Sequence, residues 1–115
     1  MPIGSRYIFI ASMDVAPEKE ALFNEVYDQE HVPSLLKVPG VIAVTRIKGE
    51  PFAVNLGGER REMPAGSPVY SAIYEIEDPE VLTSPAWAEA VEAGRWPEEV
   101  RPFTSNRGHR LCKVL

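Results

Sequence analysis

His31 is the residue in this 115-residue sequence best suited to proton chemistry, and other polar side chains accompany it on one predicted helix. Tyr27 precedes it by four residues and Asn24 by seven, which places the three on one helical side, with Asp28 close to that side. An imidazole titrates nearest to neutral pH, so His31 can accept or donate a proton during turnover. Tyr27 is placed to hydrogen-bond a substrate oxygen, and Asp28 to orient the imidazole. These three residues are the catalytic candidates.

A structural role is as open as a functional one for His31, and it is the favoured interpretation for Tyr27 and Asp28. A histidine at the end of a helix can bond a backbone carbonyl, Tyr27 can belong to the core, and Asp28 can be a solvated helix residue. A helix C-terminus and nearby carboxylates would raise the pKa of His31, whereas burial among aromatic side chains would lower it. The sequence alone leaves the sign of that shift open.

Aromatic residues along the chain offer surface for a flat apolar ligand. Most of them are expected in the core or in a dimer contact, and a few are expected to line a pocket. The residues expected to bind a substrate are Phe9, Asn24, Tyr74, Trp87 and Trp96. Arg46 and Arg107 could bind a carboxylate or a phenolate, although exposed strand arginines are common. His109, flanked by Arg107 and Arg110, is expected at a strand surface or an interface rather than in catalysis.

Composition excludes several classes of partner. The formal net charge is -5 and no basic run is present, so neither nucleic acid nor an anionic membrane surface is an expected partner. No apolar run approaches the ~20 residues of a membrane helix, and the N-terminus does not resemble a signal peptide. The single cysteine, Cys112, cannot form an internal disulfide, which fits a cytoplasmic location.

No resident cofactor or metal is predicted. His31 and His109 lack a cluster of Cys or His ligands at close spacing, and the sequence NLGGE has neither the spacing nor the context of a phosphate-binding loop.

Hydrophobic periodicity predicts four strands and two helical regions. The predicted strands cover residues 6–13, 41–48, 69–76 and 105–114. The first helix is predicted over about residues 17–31 and should end or kink beside His31, because Pro33 lacks a backbone N–H. The second helical region starts near Asp78, with Thr83 or Ser84 as a helix cap before Pro85. Residues 49–68 form a long connection, either a surface insertion or a lid, within which AVNLGG can form a small hairpin.

The order strand–helix–strand–strand–helix–strand indicates an α+β, ferredoxin-like βαββαβ fold over residues 1–115, a single domain with a four-stranded antiparallel sheet. The first strand is apolar on both faces, so the face without helices also needs a cover. A second copy is the simplest cover, and the sequence therefore predicts a homodimer with facing sheets. The alternative is a monomer whose long loop folds over the sheet.

The segments FNEVYDQEHVPSLLKVPGVIAVTRIK and WAEAVEAGRWPEEVRPF resemble the EthD-like proteins of the dimeric α/β-barrel superfamily. The most specific element of that resemblance is the motif YDxEHVP. It implies a pocket between the sheet and the helices, with His31 as the family's helix-end histidine and Tyr27 as the preceding aromatic residue. The chain departs from better-known members in its long connection between the second and third predicted strands.

The leading functional hypothesis is a small cofactor-independent enzyme that acts on an aromatic or polyketide-like compound through proton transfer at His31. Members of the superfamily include cyclases, decarboxylase-like enzymes and monooxygenases, and the sequence does not choose among cyclisation, dehydration, decarboxylation and oxygenation. One alternative is a non-catalytic dimeric module that binds a small apolar ligand. Another is a haem-binding relative with His31 as the axial ligand.

Overall fold

A four-stranded antiparallel sheet organises residues 3–115, the part of the chain that this computed structural model describes. Its spatial order is β2–β5–β1–β6, and a separate two-stranded sheet pairs β3 with β4. The strand bounds are β1 Tyr7–Val15, β2 Val41–Lys48, β3 Phe52–Leu56, β4 Glu59–Met63, β5 Tyr70–Ile76 and β6 Thr104–Lys113. The predicted ferredoxin-like α+β fold is confirmed, and the four main strands lie within two residues of their predicted bounds.

Short helical segments make up the layer that covers one face of this sheet. Three are α-helical, namely α1 (Glu20–Val26), α2 (Val32–Leu36) and α3 (Pro85–Ala90). Two five-residue π-helical turns, Tyr27–His31 and Trp96–Val100, complete the layer together with three 3₁₀ turns, Pro17–Lys19, Pro79–Thr83 and Arg101–Phe103. Ser84 caps α3 by accepting a hydrogen bond from the Trp87 N–H, as the sequence predicts. None of the helices in the described part of the chain is both long and apolar enough to span a membrane.

The first helical region does not end at His31, which was one of the two outcomes expected beside Pro33; instead, its winding changes just before α2. It continues through α2, with Pro33 in the first turn of that helix. The turn before α2 widens instead, because the Val32 N–H bonds the Tyr27 carbonyl five residues back. This wide turn accommodates the missing N–H of Pro33 and the bulk of its ring, so the helical path persists.

The core lies between the helical layer and the sheet. Tyr7, Phe9, Ala11 and Met13 of β1 face the helices, and the β5 residues directly opposite are Ile76, Tyr74, Ala72 and Tyr70. On the other face, Ile8, Ile10 and Ile73 are only half-buried, and the Ile47 side chain is 48% exposed. In the predicted homodimer, a second copy would cover this partly apolar open face. The homodimer stays a prediction.

Residues 49–68 contain the β3–β4 hairpin, in keeping with the small hairpin that AVNLGG predicts. Gly57 and Gly58 form its two-residue loop, with φ values of 60° and 82°. A type I′ turn needs positive φ at both positions, which glycine supplies without strain. The hairpin strands are almost wholly exposed, and within residues 3–115 they pair only with each other.

Candidate functional site

A cavity of about 270 Å³ lies between the sheet and the helical layer. Aromatic and aliphatic side chains line most of it, together with two histidines and two arginines. The lining residues are Phe9, Ala11, Met13, Tyr27, His31, Leu35, Tyr74, Trp87, Val91, Trp96, Arg101, Arg107 and His109. Six of the eight sequence-predicted site residues are among them: His31, Tyr27, Phe9, Tyr74, Trp87 and Trp96.

His31 forms part of the cavity wall and is only 5% exposed. Trp96 stacks on its ring at a centroid distance of 4.3 Å and an interplanar angle of 22°, and Tyr27 meets it edge-on at 5.0 Å. Within residues 3–115, the enclosed Nδ1 has no hydrogen-bond partner. A buried polar atom without a partner is costly, and such exceptions in a native protein call for an explanation such as a functional role.

The environment lowers the pKa of His31 from 6.5 to about 4. Burial is the main cause, because desolvation disfavours the imidazolium. The positive charges of Arg101 and then Arg107 lower the pKa further, and Glu92 opposes them. The sequence left the direction of the His31 pKa shift open, and the structure shows that the pKa is lowered. His31 is therefore a neutral imidazole at pH 7.

An ion pair between Glu30 and Arg95, here called the clamp, joins the segments that carry the stacked rings of His31 and Trp96. Glu30, which precedes His31, accepts hydrogen bonds from the Arg95 backbone N–H at 2.9 Å and from Arg95 Nε at 2.6 Å. Arg95 in turn precedes Trp96, so the clamp joins the chain one residue before each stacked ring. Gly94 adopts φ of 68°, and a Cβ at this position would lie 2.5 Å from the Glu30 carboxylate. Glycine therefore allows the close approach that the clamp needs.

Two buried phenol groups line the cavity with the imidazole, and one of them, Tyr27, contacts it directly. The hydroxyls of Tyr27 and Tyr74 hydrogen-bond each other at 3.1 Å, and both side chains are buried. Burial raises the pKa of Tyr27 and the pKa of Tyr74, so both remain protonated at neutral pH. When one hydroxyl donates to the other, the second keeps its proton for a third group.

Other aromatic rings that line the cavity contact one another. Trp87 meets Phe9 edge-on at 5.8 Å and Tyr74 edge-on at 5.5 Å. His109 stacks on Phe9 at 5.8 Å with an interplanar angle of 17°. His109 is exposed at the strand surface, as expected, but its ring also borders the cavity.

Arg101 and Arg107 are lining residues that the sequence reasoning did not place beside His31. Arg107 lies two residues before His109 on β6, and strand alternation brings both side chains to the helix-covered face. The alternation of side chains along β6 could therefore have predicted that Arg107 shares a face with His109. Arg101 belongs to an irregular 3₁₀ turn, whose position depends on tertiary packing and carries no such signal.

The structure does not bring Asp28 or Asn24 to His31. Asp28 Oδ1 accepts a hydrogen bond from Arg46 at 2.8 Å, and the Asp28 side chain is 62% exposed. The Asn24 carbonyl oxygen accepts from Arg46 at 2.8 Å, and its amide donates to the Tyr70 hydroxyl at 3.4 Å. The π-helical turn places an extra residue in the helical path, which rotates His31 away from the side that ordinary spacing assigns to Asn24.

The cavity does not fit a haem group ligated by His31. The space of about 270 Å³ beside the His31 ring is below the ~300–1,000 Å³ typical of sites for drug-sized ligands, and a porphyrin is larger than such ligands. In the described part of the chain, no three His, Cys, Asp or Glu side chains group as metal ligands.

Comparison with known proteins finds similarity at the level of structure. No protein-family model matches the sequence, and neither does any curated protein. The haem-degrading protein MhuD from Mycobacterium tuberculosis, solved with two haems in its active site, aligns with a TM-score of 0.59 and 14% identity over 95% of each chain. An EthD family protein from Bacillus halodurans aligns with a TM-score of 0.57 and 13% identity, over 95% of this chain and 99% of that one.

An antibiotic biosynthesis monooxygenase aligns with a TM-score of 0.56 and 15% identity, over 95% of this chain and 98% of that one. At these identities the alignments establish the fold and leave the chemistry to be argued from the site. The resemblance to EthD-like proteins is thus confirmed at the level of fold. The chain has the ferredoxin-like α+β fold that EthD-type and antibiotic-biosynthesis-monooxygenase-type proteins of the dimeric α/β-barrel superfamily share.

Proposed function

We propose that this protein is a small enzyme that binds a compact aromatic or polyketide-like molecule in the His31 cavity and transfers a proton through that imidazole. The observation that carries the proposal is the state of His31: buried, stacked on Trp96, unprotonated at neutral pH, and without a partner for Nδ1 among residues 3–115. Perturbed titratable groups in a cavity are a recognised signature of functional sites.

The chemistry follows from the neighbouring groups. The neutral imidazole accepts a proton from a carbon next to a carbonyl group of the bound molecule; the C–H electron pair forms a C=C bond, and the carbonyl π electrons move to the carbonyl oxygen. When the acid is a hydroxyl group, the electron pair stays on the hydroxyl oxygen. A hydroxyl of the Tyr27–Tyr74 pair donates a hydrogen bond to the negative charge that develops there. His31 then returns the proton to product or to water. Because the side chains supply both functions, the proposal needs no resident cofactor.

Several net reactions can begin with such a proton transfer. Cyclisation, dehydration, decarboxylation and oxygenation all remain within the proposal, and the cavity geometry does not choose among them. The structures of similar fold include a monooxygenase and a haem degrader, which supports the presence of a small-ligand site in this fold. The functional unit in the proposal is a cytoplasmic homodimer that uses the open sheet face as its contact. Light scattering that reports a monomer at micromolar concentration would contradict the dimer.

A non-catalytic binding module is the second candidate, and the low pKa of His31 specifically favours it. A base works best when its pKa lies near the working pH, whereas a pKa of about 4 makes His31 a weak base in the free protein. A neutral imidazole that only accepts or donates a hydrogen bond would suit a binding site. Catalysis therefore requires that the bound molecule itself stabilise the imidazolium.

Replacement of His31 distinguishes the two candidates. A thermal-shift screen of aromatic and polyketide-like compounds first supplies a ligand, and turnover and affinity are then compared in the parent protein, His31→Gln and Asp28→Asn. For the enzyme, His31→Gln should lower turnover by about 10²–10⁴-fold while binding changes far less. Asp28→Asn is the matched control because Asp28 bonds Arg46, away from the cavity. Unchanged turnover in His31→Gln would remove the imidazole from the mechanism, and binding without turnover would favour the module.

A further inference from the structure

We propose that the ligand of this cavity is an aromatic carboxylate or an equivalent organic anion, whose negative group binds Arg107 within the positive field of Arg107 and Arg101. This inference rests on the cavity as the ligand site of the proposed function and adds the chemical class of the ligand. The first observation is the charge of the wall. Among residues 3–115, both formally charged residues that line the cavity are arginines and no Asp or Glu lines it, although the whole chain carries a net charge of -5.

Arg107 is the cation with hydrogen-bonding capacity to spare. Its Nη1 donates to the Thr104 hydroxyl at 3.3 Å, and no carboxylate in residues 3–115 forms an ion pair with it. A guanidinium has five N–H donors in a planar fork that matches a carboxylate. The remaining donors of Arg107 are therefore available to an anion at the cavity wall.

Arg101 has a different part because its donors are already engaged. Its Nη1 donates to the Glu92 carboxylate at 2.9 Å, and its Nη2 donates to the Val91 carbonyl at 2.9 Å. These bonds hold the guanidinium at the cavity, where it adds positive potential. Glu92 offsets that potential only in part, because its side chain is 55% exposed and solvent screens it.

The groups around His31 couple this anion site to the imidazole. Arg101 and Arg107 both lower the pKa of His31, Glu92 raises it, and His109 faces the same cavity from β6. An anion bound at Arg107 would cancel part of the positive potential and stabilise the imidazolium, so the pKa of His31 should rise. The same ligand would thereby turn a weak base into a better one, as the proposed proton transfer requires.

Shape restricts the rest of the molecule. The rings of Trp96, Phe9 and Trp87 offer flat apolar surfaces, and about 270 Å³ is available between them. A molecule of one or two fused rings with an acidic substituent matches both the apolar walls and the arginine. A highly polar anion, such as a sugar phosphate, would leave polar groups against aromatic rings without hydrogen bonds.

Two probes of nearly equal shape test the inference: 2-naphthoate, which is anionic at pH 7, and 2-naphthamide, which is neutral. Calorimetry at fixed ionic strength measures both against the parent protein, Arg107→Gln and Arg60→Gln. Arg60 lies on the exposed β3–β4 hairpin and does not line the cavity, so it controls for loss of one positive charge. The parent and Arg60→Gln should bind the naphthoate about tenfold more tightly than the amide, and Arg107→Gln should lose most of that preference.

Nuclear magnetic resonance titration of the His31 ring protons supplies an independent readout. The pKa of His31 should rise when naphthoate binds and should change less with naphthamide. Equal affinity for the two probes, or a preference that survives in Arg107→Gln, would overturn the anion inference and leave the proposed function standing. Failure of both probes to bind at millimolar concentration would overturn the inference together with the cavity as a ligand site.

Discussion

Acidification should destabilise this protein through His31 before most carboxylates begin to titrate. The imidazole is 5% exposed, and burial lowers its pKa from 6.5 to about 4. Between these values the unfolded chain binds a proton at His31 that the folded protein does not bind, so the free energy of unfolding decreases as the pH falls. The full effect is about 3 kcal/mol, of which about 2 kcal/mol should be lost between pH 7 and pH 5.

Other titratable groups contribute less than His31 to the change in the free energy of unfolding between pH 7 and pH 5. Glu30 and Glu92 have pKa values below their ordinary 4.5 because arginines hydrogen-bond them, so they lose their contribution mainly at lower pH. Burial also lowers the pKa of His109, which acts in the same direction as His31. Urea unfolding at one fixed protein concentration, repeated from pH 7 to pH 5, should compare the parent with His31→Leu and His109→Leu.

The expected result is a flattened pH dependence in His31→Leu and a largely preserved one in His109→Leu. Fixed protein concentration matters because dimerisation would add its own contribution to stability. If His31→Leu loses as much stability as the parent over this interval, the buried neutral imidazole is not the source of the effect. That result would also remove the electrostatic basis of the proposed site.

Two further perturbations test the contacts that hold the site. Gly94→Ala should destabilise the protein by about 1–2 kcal/mol more than Gly66→Ala. Both positions have positive φ, but only a Cβ at position 94 would displace the Glu30 carboxylate. Equal losses of stability in urea unfolding would show that the Glu30–Arg95 clamp does not stabilise the protein. Tyr74→Phe should cost about 1–3 kcal/mol by leaving the Tyr27 hydroxyl buried without its partner. The double variant with Tyr27→Phe should recover part of that loss, and strictly additive losses would exclude the coupling.

Strand periodicity and turn residues were sufficient to predict the architecture. The alternation in RYIFIASM and VYSAIYEI predicted β1 and β5, and the Ser84–Pro85 pair predicted the start of α3. These signals are local, because side chains alternate along a strand and a cap acts within one turn.

The site was harder to predict because it depends on geometry that spacing does not encode. The π-helical turn at Tyr27–His31 rotates the helix faces, so Asn24 and Asp28 belong to the Arg46 network and not to the cavity. The stacking of Trp96 on His31 joins residues 65 positions apart through the Glu30–Arg95 clamp. Long-range contacts of this kind leave no periodic trace in a single sequence.

The β3–β4 hairpin is attached in a way that makes it dispensable to the main sheet. Its two ends meet where the Gly49 N–H donates to the Val69 carbonyl at 2.8 Å, so the intervening residues leave β2 and return to β5 at one point. Two strands alone are marginally stable in water, and this segment should open and exchange its amide hydrogens long before the four-stranded sheet does. A short turn spliced across that junction would connect β2 to β5 directly, which makes the segment a natural place for the chain to gain or lose length without disturbing the core.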